Sequence, residues 1–189
     1  MHFRSTSRSD LADELLVLRC QLGERPAFDQ LIGRWVLPLR RHVLRVTGDA
    51  DAADELTQEI WLRVVQGIGR LREAAGFRPW LFGIAHRVLV DRLRQRYGAA
   101  AMVPVDPDLA GDAAADPAGD RESAARDVER GLQRLPALER EVLTLFYLED
   151  LSLADLATLL DVPLGTVKSR LFRARQQLRQ TLTKEPCHD

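Results

Sequence analysis

Residues 98–120, GAAAMVPVDPDLAGDAAADPAGD, cannot build a core, and this divides the chain in two. The stretch holds Pro104, Pro107 and Pro117, five aspartates, no Lys or Arg and no aromatic residue. It buries too little apolar surface to offset the entropy of ordering, so it reads as a linker. Its acidity is either that of a plain tether or a feature with a partner. The 189 residues, 46% hydrophobic and 29% charged, then suit two small domains.

On either side of the linker the pattern is helical. No sustained period-two alternation and no Asn-Gly hairpin turn marks a strand. Residues 11–22 read as a first helix, with Leu11, Leu15, Leu18 and Leu22 aligned. Residues 26–46 follow, with Phe28, Leu31, Ile32, Trp35, Leu39 and Val43 on one side and Pro38 as a kink or break. TGDADAAD turns the chain into a helix over 51–66, lined by Leu56, Ile60 and Val64. After a glycine-containing loop, 79–96 is a fourth helix with Pro79 in its first turn. Beyond the linker, 122–134 forms a helix, and LPALEREVLTLFYL another, with Leu138, Val142, Leu145 and Phe146 inward. Ser152 with Asp155 three residues on is a capping box opening 153–160, where Leu153, Leu156, Ala157 and Leu160 point inside. The fold class is all-α: two small helical domains joined by a flexible acidic linker.

Several function classes fall away. No apolar run approaches the roughly 20 residues of a membrane span, and the start lacks a signal-peptide core, so a cytoplasmic protein is expected. Cys20 and Cys187 are isolated, and His2, His42, His86 and His188 are scattered, which suggests no disulfide framework, metal site or cofactor. No nucleophile–base pair or phosphate-binding loop points to an enzyme. The net charge of −1 hides segregation: basic residues gather in 78–96 and 166–184, acids in 49–59 and 106–120.

The last helix carries the strongest chemical signal. In DVPLGTVKSRLFRARQQLRQ, Val167, Leu171, Ala174 and Leu178 make one apolar face. Lys168, Arg170, Arg173, Arg175 and Arg179 have no acid among them. A solvated face ordinarily mixes signs, so uncompensated charge on a docked helix points to a polyanion. A short helix, a tight turn and a longer basic helix form a helix-turn-helix. Its open face would present Lys168, Ser169, Phe172, Arg173 and Gln176 to a major groove. Phe172 either meets a thymine methyl or folds back on a neighbouring helix. Arg170, Arg175 and Arg179 suit phosphates, and Gly165 and Thr166 can bring backbone N–H groups close to one.

Two segments together resemble a known family. LPALEREVLTLFYLEDLSLADLATLLDVPLGTVKSRLFRARQQL resembles region 4 of bacterial sigma factors of the extracytoplasmic-function (ECF) group. FDQLIGRWVLPLRRHVLRVTGDADAADELTQEIWLRV, and FRPWLFGIAHRVLVDRLR after it, resemble region 2. The resemblance covers about 25–97 and 125–182, in the family's order. It implies residues 1–24 as an extension with a first helix packing on the next domain, 25–97 as region 2, 98–121 as linker, 122–184 as region 4 and 185–189 as a tail.

The resemblance implies core RNA polymerase as a partner, through clamp helices and flap of its large subunits. It also implies promoter DNA, both as duplex and as the melted non-template strand, and an anti-sigma factor. Asp51, Asp54, Glu55, Gln58 and Glu59 would meet polymerase; the bland alternative is a solvated acidic face. Phe77, Arg78, Trp80, His86, Arg87, Arg92 and Arg94 would serve the downstream element and melting, aromatics stacking on bases and arginines holding the backbone. Among them Phe77, read as lying in the loop, is the base-contact candidate, and Trp80 the core residue. Thr166, Lys168, Ser169, Arg170, Phe172, Arg173, Arg175, Gln176 and Arg179 would bind the upstream element. Arg87 stands where the family often has Asn, and Gly83 where a basic residue is common, so the family's downstream base preference is not carried over to this chain. The linker would thread the polymerase cleft, mimicking RNA or merely tethering. The competing reading is a stand-alone helix-turn-helix regulator acting without polymerase, which leaves 49–97 without a task. A protein-interaction module leaves both basic helices unexplained.

Overall fold

The computed structural model describes residues 8–97 and 121–183, and all regular structure among them is helical. The expectations for the linker 98–120 and the tail lie outside the described residues. The chain divides into two compact units, each described separately.

The N-terminal unit comprises α1 (Arg8–Gln21), α2 (Arg25–Thr47), α3 (Ala50–Gly67) and α4 (Phe77–Tyr97). Two short 3-10 turns, Ile68–Arg70 and Ala74–Gly76, bridge α3 to α4. TGDAD is both a stop and a start. Gly48, at φ 70°, adopts the left-handed conformation that a Cβ disfavours and donates its N–H to Leu44 O at 2.8 Å. Asp49 then caps α3, its Oδ1 accepting from the N–H groups of Asp51 and Ala52, each at 3.1 Å. So short a connection folds α3 back on α2, and these two helices pack together.

Two expectations change. Pro38 neither breaks nor splits its helix: α2 runs unbroken through it. The hydrogen bond that Pro38 cannot make belongs to the carbonyl of Arg34, an exposed residue where water can take its place. The aligned leucines of α1 are not its packed face. Leu16, Val17 and Cys20 turn inward, while Leu11, Leu15, Leu18 and Leu22 face out. Asp13 is buried on the inward side in an ion pair with Arg34, whose Nε lies 2.8 Å from its Oδ1; burial still holds its pKa above the ordinary value. Gln21 ties the end of α1 to the α3–α4 connection, donating to Ile68 O at 3.0 Å and Leu71 O at 2.8 Å.

The C-terminal unit comprises α5 (Arg121–Gln133), α6 (Ala137–Leu143), α7 (Leu153–Leu159) and α8 (Leu164–Thr183). A single π turn, Thr144–Leu148, prolongs α6. Val142, Leu145, Leu156, Val167, Leu171 and Ala174 form the core; Leu138, Phe146, Leu153 and Ala157 are only partly buried. A Cβ on Gly131 would lie 2.9 Å from Leu178 Cδ1, so glycine is what lets α5 approach α8. Arg140 is a buried strut: it donates to Gln133 Oε1 at 2.9 Å, Gln133 O at 2.7 Å and Leu135 O at 2.8 Å, satisfying carbonyls at the end of α5. The capping box forms as read. Ser152 Oγ and Ser152 N both donate to Asp155 Oδ2, at 2.7 and 3.0 Å, and Asp155 N returns a bond to Ser152 Oγ at 3.1 Å.

Candidate polymerase and nucleic-acid interfaces

On α3, Asp51, Asp54, Glu55, Gln58, Leu62 and Val65 are exposed. At 100° per residue they fall on one strip, acidic in the first half and apolar in the second. The acids are not bare. Arg40 grips Asp54 with two bonds, one from Nε to Oδ1 and one from Nη2 to Oδ2 at 3.1 Å. Hydrogen bonding to that guanidinium holds the Asp54 carboxyl below its ordinary pKa. Arg92 Nη2 donates to Glu55 at 2.9 Å, and Arg63 to Glu59 at 2.6 Å. Leu62 and Val65 were missed in the sequence. Their signal was their spacing, four and seven residues beyond Gln58, on the side opposite Ile60 and Val64.

α4 reverses one assignment, that of Phe77, and leaves Trp80 partly covered. Phe77 is its first residue and is 1% exposed, with its ring edge-on to Trp35 at 6.0 Å. A ring so enclosed cannot stack on a base, and Phe77 is withdrawn as a base contact. Trp80, read as core, is half-buried, resting where a Cβ on Gly67 would meet it at 3.0 Å. The cause is helix phase. Starting α4 at Phe77 puts 77, 81, 84, 85 and 88 inward and leaves Trp80, Arg87, Asp91 and Arg94 on the outer stripe. Arg78 is partly covered, its guanidinium 5.6 Å from the Trp35 ring centroid. His86 is half-buried. Arg92 is held by Glu55, so one ion pair joins two faces that the sequence kept apart.

On α8 the predicted residues come together. Val167, Leu171 and Ala174 are buried against the unit, while Lys168, Arg175, Gln176 and Arg179 are exposed. Thr166, Ser169, Arg170, Phe172 and Arg173 are half-buried. Phe172 therefore keeps part of its ring accessible. Ser169 Oγ donates to Thr166 O at 3.0 Å, which commits its proton and leaves its lone pairs to accept. The Thr166 N–H is engaged by Pro163 O at 2.9 Å, so Thr166 offers a phosphate its hydroxyl rather than its amide. Arg175 leans back, donating from Nε to Leu171 O at 3.4 Å and from Nη1 to Tyr147 Oη at 3.5 Å. Asp161, in the turn between α7 and α8, sits at φ 52°. Aspartate tolerates that left-handed geometry better than most side chains.

A family model for Sigma-70 region 2 matches residues 31–98, and one for Sigma-70, region 4 matches 125–178. The chain is 30% identical to the RNA polymerase sigma-H factor of Pseudomonas aeruginosa over 184 residues, covering 90% of this chain and 93% of that one. It is 34% identical to the ECF RNA polymerase sigma factor SigM of Mycobacterium tuberculosis over 178 residues, covering 93% and 87%. In fold it is similar to CnrH, solved in complex with the cytosolic domain of CnrY. The TM-score is 0.67 at 24% identity, over 93% of this chain and 99% of that one. Matched by both region models and nearly end to end by its relatives, the chain belongs to the sigma-70 family, in its extracytoplasmic-function group.

Proposed function

We propose that this sigma factor divides its work among three helices. The α3 strip docks on the clamp helices of core RNA polymerase, its acids answering basic residues and Leu62 and Val65 supplying apolar contact. α8 enters the major groove of the upstream promoter element, where Arg173 and Lys168 read bases and Arg170, Arg175 and Arg179 hold phosphates. The outer stripe of α4 receives the unwound non-template strand, with Trp80 as stacking platform and Arg87 and Arg94 on the backbone. Residues 25–97 and 122–184 act as the two domains, and the work is done in the cytoplasm. No reaction is catalysed; binding energy drives opening. An anti-sigma factor would bind the protein, as the anti-sigma factor NepR binds the sigma factor RpoE of Bartonella quintana.

The observation that carries this reading is the α3 strip. A regulator acting alone would have no use for exposed leucine and valine beside a row of acids on a domain that does not contain the helix-turn-helix. Transcription with purified core polymerase on a promoter library tests it. Wild type should direct specific starts, and Leu62→Lys should lose core binding while α8 still binds duplex DNA. Duplex binding with no complex formed with core polymerase would return the protein to the stand-alone class.

A further inference from the structure

We propose that the outer face of α1 seats a second copy of this chain, the two α1 helices lying side by side and parallel. Four leucines define the face: Leu11, Leu15, Leu18 and Leu22 are 56%, 58%, 51% and 80% exposed. They lie opposite Leu16, Val17 and Cys20, which pack inward. α1 is thus apolar on two sides, and its own unit uses only one. A single exposed leucine is ordinary; Leu11, Leu15 and Leu18 in register on α1, with Leu22 in the turn directly after it, form a patch that water is a poor partner for.

The spacing names the kind of partner. Steps of four, three and four put the leucines at successive d, a, d and a positions of a heptad, the narrow seam of a two-stranded coiled coil. The flanks then decide between a foreign helix and a second α1. In this phase Glu14 occupies a g position and Arg19 the e position five residues on. In a parallel pair g meets the following e of the other strand, so Glu14 faces Arg19 of the second copy, twice by symmetry. An antiparallel pair would set Glu14 against Gln21 and Arg19 against Ala12, with no ion pair. Arg19 at present donates to Glu24 at 2.8 Å, in a bridge whose two side chains are 34% and 42% exposed. Such a bridge is weak enough to be exchanged or shared. The helix need not be ordered on association, because its inner face already packs it against α2. Four leucines a side make a small interface, so the dimer is weak and dependent on concentration.

Sedimentation equilibrium of the full chain tests this, with helicity and melting temperature confirming that each variant folds. Wild type should dimerise at sub-millimolar concentration, and Leu18→Lys should be monomeric. Glu14→Arg should weaken the dimer several-fold, and Glu14→Arg with Arg19→Glu should restore it, since the charges are exchanged across the same seam. In a Cys187→Ser background, Leu18→Cys should form a disulfide with itself on mild oxidation, because d positions face each other only in the parallel register. A wild type monomeric throughout overturns the proposal and assigns the leucine face to another protein or to another segment of this chain. Failure of the double charge exchange, or absence of the self-disulfide, overturns the parallel second copy. None of these outcomes bears on polymerase binding by α3.

Discussion

α4 and α8 are both long, basic helices, but they hold their charge differently. α4 is buried around most of its girth, through Phe77, Leu81, Phe82, Ile84, Ala85, Val88, Leu89 and Val90. What remains for a ligand is a narrow stripe. α8 buries the single line of Val167, Leu171 and Ala174 and leaves Lys168, Arg175, Gln176 and Arg179 exposed on another side. In α4 the residues that hold the fold and those that would hold the strand alternate within one turn. In α8 they lie on separate faces. Substitutions in α4 should therefore move stability and function together, and those in α8 should separate them.

The largest effect should come from Phe77→Ala. Removing a fully buried ring from the cluster with Trp35 should cost about 3–5 kcal/mol of stability in the N-terminal unit. Denaturant unfolding measures this; a variant as stable as wild type would break the contrast by showing Phe77 to be a free contact residue. Next come two losses of about 1–3 kcal/mol each. Arg173→Ala should relax discrimination at one upstream base pair by that amount with unfolding unchanged, read by binding to cognate and single-substituted duplexes. Trp80→Leu should lower open-complex formation by a similar amount. A pre-melted bubble should restore it, and normal permanganate reactivity of promoter thymines on the closed template would remove Trp80 from the strand path.

Smaller effects sharpen the picture of α8 as a separable reader. Ser152→Ala removes the cap of its bracing helix and should cost about 1 kcal/mol of stability in the C-terminal unit, leaving base preference alone. Arg179→Ala should weaken binding to all sequences alike and lower the log-affinity against log-salt slope by about 0.9. The smallest change belongs to Arg92→Ala. Its exposed bridge to Glu55 should contribute under about 1 kcal/mol to stability, fading with salt. A larger loss would mean that the acids of α3 are structural first.

Much of this protein was legible without a structure because its signals are local. Helix periodicity marks the segments, TGDADAAD marks a turn, Ser152 with Asp155 starts a helix, and the one-signed charge of 168–179 needs no neighbour to be noticed. The order of a short helix, a tight turn and a longer basic helix is legible from Ser152 to Gln180. Facing direction was another matter. The leucines of α1 are as regular as any core stripe, and only the packing of Leu16, Val17 and Cys20 decided which side faces in. Phe77 reads as a loop residue in the sequence, and only its packing edge-on to Trp35 of α2 shows that it opens α4 as a buried ring. The acids of α3 were visible, but not that Arg40, Arg63 and Arg92, on three helices, pair with Asp54, Glu59 and Glu55. Periodicity along one helix states that a face exists; which face is buried, and which charge meets which, depends on contacts between segments distant in the chain.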